Sequence, residues 1–555
     1  MPSPSMPPGC LSRLYRRDLD RYPPTGHRLA YLAVVVATTV VMYYMLFVQF
    51  AVAASIIRHF GMTFTYFLWV TVISSLAGAF SSLLAGLADR WGRANLVVYG
   101  LLAASVTTFF GLPNAGSKQV FLVLSALVSF IEGLVLVAAP ALVRDFSPRL
   151  GRATALAFWG IATDIGGLTV ALVVSSTLER LGWQDELRLA GAAGFAVFLV
   201  VVVALRELSP RLRDQIMVTL RDRALVEARA RGLDPEAVRR GEWRQVTGPP
   251  VVVPAVGVSL FSLLYFAVVG NAVVYFGTVF GYSEQRTNAL MNWFWAADAI
   301  ALLVAGLLSD RFLVRKPFMI VGAAGLMVLT AMFALRATEP TTGYYTFVLL
   351  LAVSALFAEL AFAPWMAGFT ETVEERNPAG AAAGLAVWGW IFRLTLAAST
   401  AALPLVVSSA TPLLEHGPQV AAARQKAAPA LDVIRAHPRL FAELDRYPPG
   451  AVPPALAARA RREVGPAGLA TVRKARPDLA VLRTYGPRVD RAQAEVPGQW
   501  QTWWWVCLGG QAAFVPCVFL MSGRWSPKRA REDVARHEEA VRRELAALAA
   551  DRGGR

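Results

Sequence analysis

Long apolar runs alternate with short polar stretches along this chain. The runs 29–49, 120–143 and 346–366 each approach the ~20 apolar residues that a helix needs to cross about 30 Å of hydrocarbon. A core helix of a soluble protein rarely stays apolar on every face over that length. The pattern therefore predicts about twelve membrane-spanning helices. Their approximate limits are 29–57, 66–88, 94–112, 119–143, 152–177, 188–206, 251–280, 287–309, 317–336, 344–369, 380–407 and 501–522.

A polar segment after the sixth run divides these spans into two sets of six. The expected fold is an all-α membrane protein with twelve transmembrane helices in two six-helix pseudo-repeats, and a helical extracytoplasmic insertion between spans 11 and 12. The expected parts are an N-terminal tail (1–28), a six-helix domain (29–206), a linker (207–250), spans 7–11 (251–407), the insertion (408–500), span 12 (501–522) and a C-terminal tail (523–555).

The formal net charge of +16 first suggests a nucleic-acid partner. However, the basic residues lie mostly between and after the spans, and the short loops on one side hold more of them, including Arg90, Arg93, Arg144 and Arg149. Because short cytoplasmic loops are enriched in Lys and Arg, both termini are expected in the cytoplasm. We therefore expect a multi-pass protein of the plasma or inner membrane that contacts lipid and binds no nucleic acid.

Two long polar segments follow from the same orientation. The Arg-rich linker 207–250 is expected on the cytoplasmic face, where it can lie against anionic lipid. Span counting places the insertion 408–500 outside although it is also rich in Arg, which is acceptable because long segments are translocated largely regardless of charge.

Short motifs recur in register in the two halves of the chain. The matched pairs are Phe60-Gly61 with Phe280-Gly281, Phe130–Glu132 with Phe357–Glu359, and Ala155–Gly160 with Gly384–Gly389. One such match would carry little weight, but three in one register indicate that a six-helix unit has been duplicated.

The loop between spans 2 and 3 reads Gly86-Leu87-Ala88-Asp89-Arg90-Trp91-Gly92-Arg93. With twelve spans and the repeat, this motif resembles the signature of the major facilitator superfamily of transporters, over about 29–407 and 501–522. The resemblance implies that the loop latches the two halves together on the cytoplasmic side when the transporter is open outward. Including a degraded second copy, the candidate residues are Gly86, Asp89, Arg90, Gly92, Arg93, Asp145, Gly306, Asp310 and Arg311.

The same loop can be interpreted from its chemistry. Asp89 can accept hydrogen bonds from a helix N-terminus, where the dipole favours an anion. Arg90 and Arg93 can reach lipid headgroups or Asp145 at the end of span 4. The alternative is a cluster of charges that only sets the orientation of the chain.

Five ionisable residues lie inside predicted spans, where each is costly and suggests a function. They are Glu132, Asp164, Asp298, Glu359 and Arg393. In one interpretation Arg393 holds a carboxylate or other oxyanion in a central cavity, and a buried carboxyl group exchanges the coupling proton. In the other, Arg393 forms a static ion pair with Asp164 or Glu359, and Asp164 is the first candidate because it occupies the matching position of the repeat.

Trp159 and Trp388 occupy matching positions in spans 5 and 11. They could line the cavity for an aromatic or amphipathic substrate, or simply pack between helices. The three cysteines have neither disulfide nor metal spacing. No Gly-Lys-Ser/Thr phosphate-binding loop is present, so ATP drive is not expected. We expect no catalytic residue, metal or cofactor.

The favoured function is that of a secondary active transporter, not an enzyme, which moves a small organic solute by alternating access, as a monomer and with a proton as coupling ion. Arg393 favours an anionic solute. One alternative is proton-driven efflux of amphipathic compounds: Gly151 and Gly160 have the spacing of the family's antiporter motif, although Asp164-Ile165 replace its Gly-Pro. Another is a non-transporting receptor or scaffold whose insertion binds a partner.

The predicted orientation can be tested by cysteine labelling. In intact cells, a membrane-impermeant thiol reagent should label Ala428→Cys in the insertion but not Ala230→Cys in the linker. The parent chain controls for the three native cysteines. Labelling of Ala230→Cys without labelling of Ala428→Cys would reverse the orientation.

Overall fold

The computed structural model describes residues 17–83, 91–147, 158–212, 226, 229, 247–312, 314–376, 381–448, 451–523 and 525–553. Within these residues, twelve helices are long and apolar enough to cross a membrane. In chain order, spans 1–12 are Thr25–Ala51, Phe64–Leu83, Arg93–Asn114, Lys118–Phe146, Phe158–Thr177, Trp183–Ala204, Pro249–Phe280, Glu284–Phe312, Lys316–Arg336, Tyr344–Glu374, Ala381–Val406 and Arg476–Leu520.

Two of these spans are locally irregular. Span 3 ends in a π-helical turn, Thr107–Gly111, followed by a 3₁₀ turn, Leu112–Asn114. Span 7 consists of two helices, Pro249–Phe261 and Leu263–Phe280, that meet at Ser262. The remaining helices are Ala53–Phe60, Ala410–Ala436, Pro438–Leu444, Pro454–Glu463, Gly465–Lys474 and Pro527–Gly553.

The duplicated Phe-Gly pairs have the same structural task in both halves. Gly61 ends helix Ala53–Phe60 with φ +55°, and Gly281 ends span 7 with φ +67°. The Met62 amide bonds back to the Ile57 carbonyl at 3.1 Å, as in a Schellman cap. Glycine adopts this left-handed conformation without steric cost, which explains why it occurs at both positions.

The bundle has two faces, which we call proximal and distal. The chain enters span 1 and leaves span 12 at the proximal face, and the insertion lies at the distal face. The halves meet along two pairs of helices, span 5 with span 8 and span 2 with span 11. In the repeat, span 2 corresponds to span 8 and span 5 to span 11, so these two crossings are equivalent.

The insertion is built on span 12. Sequence analysis begins this span at residue 501, but one continuous helix runs from Arg476 to Leu520. Its distal part packs against helix Ala410–Ala436. At the start of that helix, Ser409 forms hydrogen bonds with Glu495 and Gln499 of the long helix. Polar residues extend this helix because it leaves the apolar layer and packs on the insertion. Helix Ala410–Ala436 also touches Ala53–Phe60 of the first half.

A short parallel pairing at the proximal face is not expected from the sequence. Strand β1, Asp18–Leu19, pairs with strand β2, Glu207–Leu208. Beside it, the buried Arg17 side chain donates to the carbonyls of Val202 and Leu205 and to Asn95 Oδ1. These contacts join the N-terminal tail to spans 3 and 6.

Candidate functional site

A cavity of about 2100 Å³ lies between the two halves. All five ionisable residues found inside the predicted spans line it, as do Trp159 and Trp388. Glu132, Asp298 and Glu359 are the central residues of their helices, Lys118–Phe146, Glu284–Phe312 and Tyr344–Glu374. The charged groups therefore meet at the middle of the membrane, where an unsatisfied charge costs most.

At the crossing of spans 5 and 8, two carboxyl groups face each other. The side chains of Asp164 and Asp298 lie within hydrogen-bonding reach, and Glu359 on span 10 is close enough to act on both electrostatically. Asp298 is 2% and Asp164 7% exposed. We call Asp164, Asp298 and Glu359 the acid triad. Tyr265 on span 7 interacts electrostatically with all three of them.

At the equivalent crossing of spans 2 and 11 lies Arg393. A Cβ atom at Gly78 would stand 2.8 Å from Nη1 of Arg393 and 2.9 Å from the carbonyl oxygen of Ser129. The Ser129 carbonyl belongs to the backbone and cannot move aside, so the close approach of spans 2 and 4 favours glycine at residue 78, and the Arg393 guanidinium lies in the space that glycine leaves. Glu132 on span 4 interacts with Arg393 electrostatically. Among the described residues, Arg393 forms no hydrogen bond and no ion pair.

Sequence analysis places Asp164 first among the partners of Arg393, and the structure corrects this. The two residues occupy matching positions on spans 5 and 11, but these helices face different partners across the interface, span 8 and span 2. Asp164 therefore meets Asp298, and Arg393 lies nearer to Glu132.

The two crossings are equivalent in sequence position but opposite in chemistry. Gly78 follows Gly61 at the same distance as Asp298 follows Gly281, and Glu132 matches Glu359. The positions of Gly78, Glu132 and Arg393 thus correspond to those of Asp298, Glu359 and Asp164. The first set contains one cation, Arg393. One copy presents a guanidinium, and the other presents three carboxyl groups.

The two tryptophans differ in their surroundings. Trp159 donates its indole N–H to Thr39 Oγ1 at 3.0 Å. Trp388 packs against Phe392 at 5.3 Å and Trp365 at 5.6 Å between ring centroids.

At the proximal face, part of the span 2–3 motif is described. Arg93 Nη1 lies 2.6 Å from Asp145 Oδ2. The Arg93 amide, at the start of span 3, donates to Glu207 Oε2 at 2.8 Å, so Glu207 caps this helix. A side chain on Gly92, which has φ +89°, would collide with the Glu207 carboxylate. Gly86, Asp89 and Arg90 lie outside the described residues.

The second half repeats the ion pair with other residues. Arg315 Nη2 lies 3.1 Å from Glu371 Oε1, which joins the start of span 9 to the end of span 10 as Arg93–Asp145 joins spans 3 and 4. Of the candidates in the degraded copy, Gly306 lines the cavity and Arg311 is exposed. The side chain of Asp310 lies outside the described part of the chain.

The distal end of the cavity is closed by hydrogen bonds that sequence analysis missed. Glu284 accepts bonds from the amide (2.6 Å) and the hydroxyl of Ser55, and Asn288 donates to the Ala51 carbonyl at 2.9 Å. Gln285 and Asn292 bond to Ser175 at 3.0 and 3.2 Å. These four residues of span 8 and their partners on the first half form what we call the distal clamp. The signal in the sequence is a polar stripe, Glu284, Asn288 and Asn292, at four-residue spacing on one helix face.

At its other end, the cavity reaches the proximal ends of both halves. Its lining includes Arg144 and Phe158 in the first half and Arg315 and Glu371 in the second. The structure is therefore closed at the distal face, while its cavity extends towards the proximal one. In the described part of the chain, no group of three His, Cys, Asp or Glu side chains could hold a metal ion.

Comparison with protein families gives a match over residues 34–392 to the model described as Major Facilitator Superfamily. The chain is 24% identical over 267 residues to "Probable anion transporter 3, chloroplastic" of Oryza sativa subsp. japonica. The aligned residues cover 46% of this chain and 48% of that relative. It is 25% identical over 253 residues to the "Phosphoglycerate transporter protein" of Salmonella typhimurium, with coverage of 42% and 52%. The chain thus spans about half the length of these relatives.

Solved structures share the fold. A bacterial homologue of the human lysosomal transporter Spinster, in an inward-facing and unoccupied conformation, has a TM-score of 0.55 at 16% identity and covers 91% of this chain and 100% of its own. A D-xylose–proton symporter has a TM-score of 0.55 at 15% identity, with coverage of 68% and 90%.

The distal clamp predicts a change in conformational equilibrium. Glu284→Ala removes both hydrogen bonds to Ser55, and bonds to a charged acceptor contribute about 1.5–3 kcal/mol each. We expect the distal face to open more often. Spin labels at Gln119 and Thr341, which are exposed on the distal ends of opposite halves, should then report a distance distribution extended to longer values. Glu179→Ala, an exposed distal carboxylate outside the clamp, is the control. An unchanged distribution in Glu284→Ala would show that the clamp does not hold this face closed.

Proposed function

The chain belongs to the major facilitator superfamily, and from that premise we propose that it is a proton-coupled transporter of a small organic anion. The observation that carries the proposal is Arg393, a guanidinium at mid-membrane that lines the cavity and forms no hydrogen bond or ion pair with the described residues. Such a charge is tolerated where water fills a cavity, and it is then available to a carboxylate or phosphate.

A second basic residue supports an anionic substrate. Arg144 lines the cavity near its proximal end and has no partner in the described part of the chain. With Arg393, it places positive charge both near the proximal end and at the centre of the cavity, which favours anions there. The names of the two partial relatives, an anion transporter and a phosphoglycerate transporter, agree with this assignment.

The acid triad supports proton coupling. Carboxylates only accept hydrogen bonds, so Asp164 and Asp298 can bond to each other only while one of them holds a proton. The two residues belong to different halves. Loss of the shared proton would leave like charges face to face and favour separation of spans 5 and 8. The xylose–proton symporter with the same fold couples transport to protons.

Orientation and gating complete the proposal. If the proximal face is cytoplasmic, as the Arg distribution predicts, this conformation is inward-facing at the plasma or inner membrane. The ion pairs Arg93–Asp145 and Arg315–Glu371 then brace the cytoplasmic helix ends within each half. The loop with Asp89 would latch the halves to each other in the outward-open state.

Anion binding should depend on Arg393. In lipid nanodiscs, 3-phosphoglycerate or benzoate should raise the melting temperature of the protein, because a ligand that binds only the folded state stabilises it. Arg393→Gln should weaken binding by at least about 30-fold, since losing one member of a desolvated charged contact costs ~2 kcal/mol or more. Arg336→Gln, at the distal surface, is the matched control. Stabilisation by neutral xylose alone, unaffected by Arg393→Gln, would contradict the anion site.

Proton coupling should depend on the acid triad. In proteoliposomes, Asp298→Asn should abolish accumulation of the anion driven by a pH gradient, but should retain exchange of labelled for unlabelled anion, because asparagine cannot release a proton. Asp185→Asn, an exposed distal carboxylate, should behave as the parent. Proton-driven accumulation that survives in both Asp298→Asn and Asp164→Asn would exclude this pair as the coupling site.

A further inference from the structure

Two kinds of side chain, aromatic and hydroxyl-bearing, line the cavity near Arg393. On the second half, four aromatic side chains form a continuous surface, which we call the aromatic wall: Phe266, Phe392, Trp388 and Phe362. Ring centroids are 4.8 Å apart for Phe266–Phe392, 5.3 Å for Phe392–Trp388 and 6.1 Å for Trp388–Phe362. The fully buried Trp365 packs behind Trp388 and fixes its position.

On the first half, two serine residues of the lining lie close to Arg393 in the fold. Ser74 and Ser129 line the cavity and are 7% and 6% exposed. Ser74 lies four residues before Gly78 and so shares its face of span 2, against which the Arg393 guanidinium rests. The Ser74 hydroxyl is buried and has no hydrogen-bond partner. A buried hydroxyl without a partner is costly, and a ligand oxygen would relieve that cost.

Arg393 connects the aromatic wall to the serine-bearing face of span 2. It belongs to the helix that carries Trp388 and Phe392, but its guanidinium crosses to Gly78 of the first half. A ligand whose oxyanion bonds to Arg393 and Ser74 would therefore have the rest of its body beside the aromatic rings. A small, fully polar anion would leave these rings in contact with water only.

From this arrangement we propose that the transported anion is amphipathic: one carboxylate or phosphate group bound by Arg393 and Ser74, and an apolar body laid against the aromatic wall. The inference rests on the proposed anion transport and narrows its substrate class. The cavity volume of about 2100 Å³ exceeds the ~300–1,000 Å³ of usual small-molecule sites and leaves room for such a body. An aromatic acid and a single-chain alkyl phosphate share this chemistry.

The test compares four probes in lipid nanodiscs by calorimetry. 1-Naphthoate and decyl phosphate have both parts, 3-phosphoglycerate has anionic groups without an apolar body, and 1-naphthalenemethanol has an apolar body without charge. We expect at least one of the first two to bind ~tenfold or more tightly than either single-feature probe, because apolar burial and charge pairing then act together. If 1-naphthoate binds more tightly, the substrate class is an aromatic acid; if decyl phosphate binds more tightly, it is a lipid-like phosphate.

Two variants separate the parts of the site. Trp388→Ala should weaken binding of the amphipathic probe by about tenfold while leaving 3-phosphoglycerate unchanged. Phe362→Leu, which keeps an apolar side chain, should act in the same direction but less, and it guards against a folding defect in Trp388→Ala. Ser74→Ala should weaken binding of both the amphipathic probe and 3-phosphoglycerate. Leu349→Ala is the control, because Leu349 is exposed on the outer surface of span 10.

The possible failures are distinguishable. If 3-phosphoglycerate binds as tightly as the amphipathic probes and still depends on Arg393, the amphipathic substrate is wrong and the anion transporter stands. If 1-naphthalenemethanol binds as tightly as 1-naphthoate, the oxyanion part of the site is wrong. If every anion is insensitive to Arg393→Gln, the proposed function itself fails.

Discussion

A charged side chain at the centre of a bilayer costs at least ~2.5–3.5 kcal/mol unless water or a partner satisfies it. This cost determines where the chemistry of the protein can lie. The spans have few ionisable groups, and those described at mid-membrane, Glu132, Asp164, Asp298, Glu359 and Arg393, all line one cavity between the halves. The interface is thus both the place where helices can separate and the place where charge is tolerable. Movement of the halves and binding of a ligand would therefore both involve the interface between the halves.

Duplication gives this surface two equivalent crossings, and divergence has made them complementary. Where spans 5 and 8 meet, three carboxyl groups converge. Where spans 11 and 2 meet, Gly78 stands at the position equivalent to Asp298, and Arg393 at the position equivalent to Asp164. Gly78 matters here, because a side chain at this position would press on the Ser129 carbonyl and displace the Arg393 guanidinium. In the proposed function, equivalent scaffold positions would therefore hold a proton at one crossing and an oxyanion at the other.

The sequence alone predicted the spans, the repeat and the five cavity residues, because apolar length, motif register and the cost of buried charge are all local properties. It could not predict which residues meet. Asp164 and Arg393 match in the repeat, yet they face spans 8 and 2, and only the packing of the halves reveals this. The distal clamp was missed because Glu284 and Asn288 stand at a span end, where polar residues are ordinary. The Arg476–Leu520 helix was shortened to its apolar part because hydropathy marks the membrane, not the helix end.

Under the proposed function, the two crossings would link the binding of an anion to the binding of a proton. When the cavity closes, water that screened its charges is expelled, so any added net charge becomes more costly. The charges of Arg393 and Glu132 are opposite and offset each other. A monoanion that enters beside them adds one negative charge, and a proton retained between Asp164 and Asp298 removes one. Because each crossing joins the two halves, an anion bound without the proton would leave a repulsive pair where spans 5 and 8 meet, and a proton bound without the anion would leave Arg393 with no bond across spans 2 and 11. In this proposal, closure with only one of the two bound is disfavoured, which is what coupling requires.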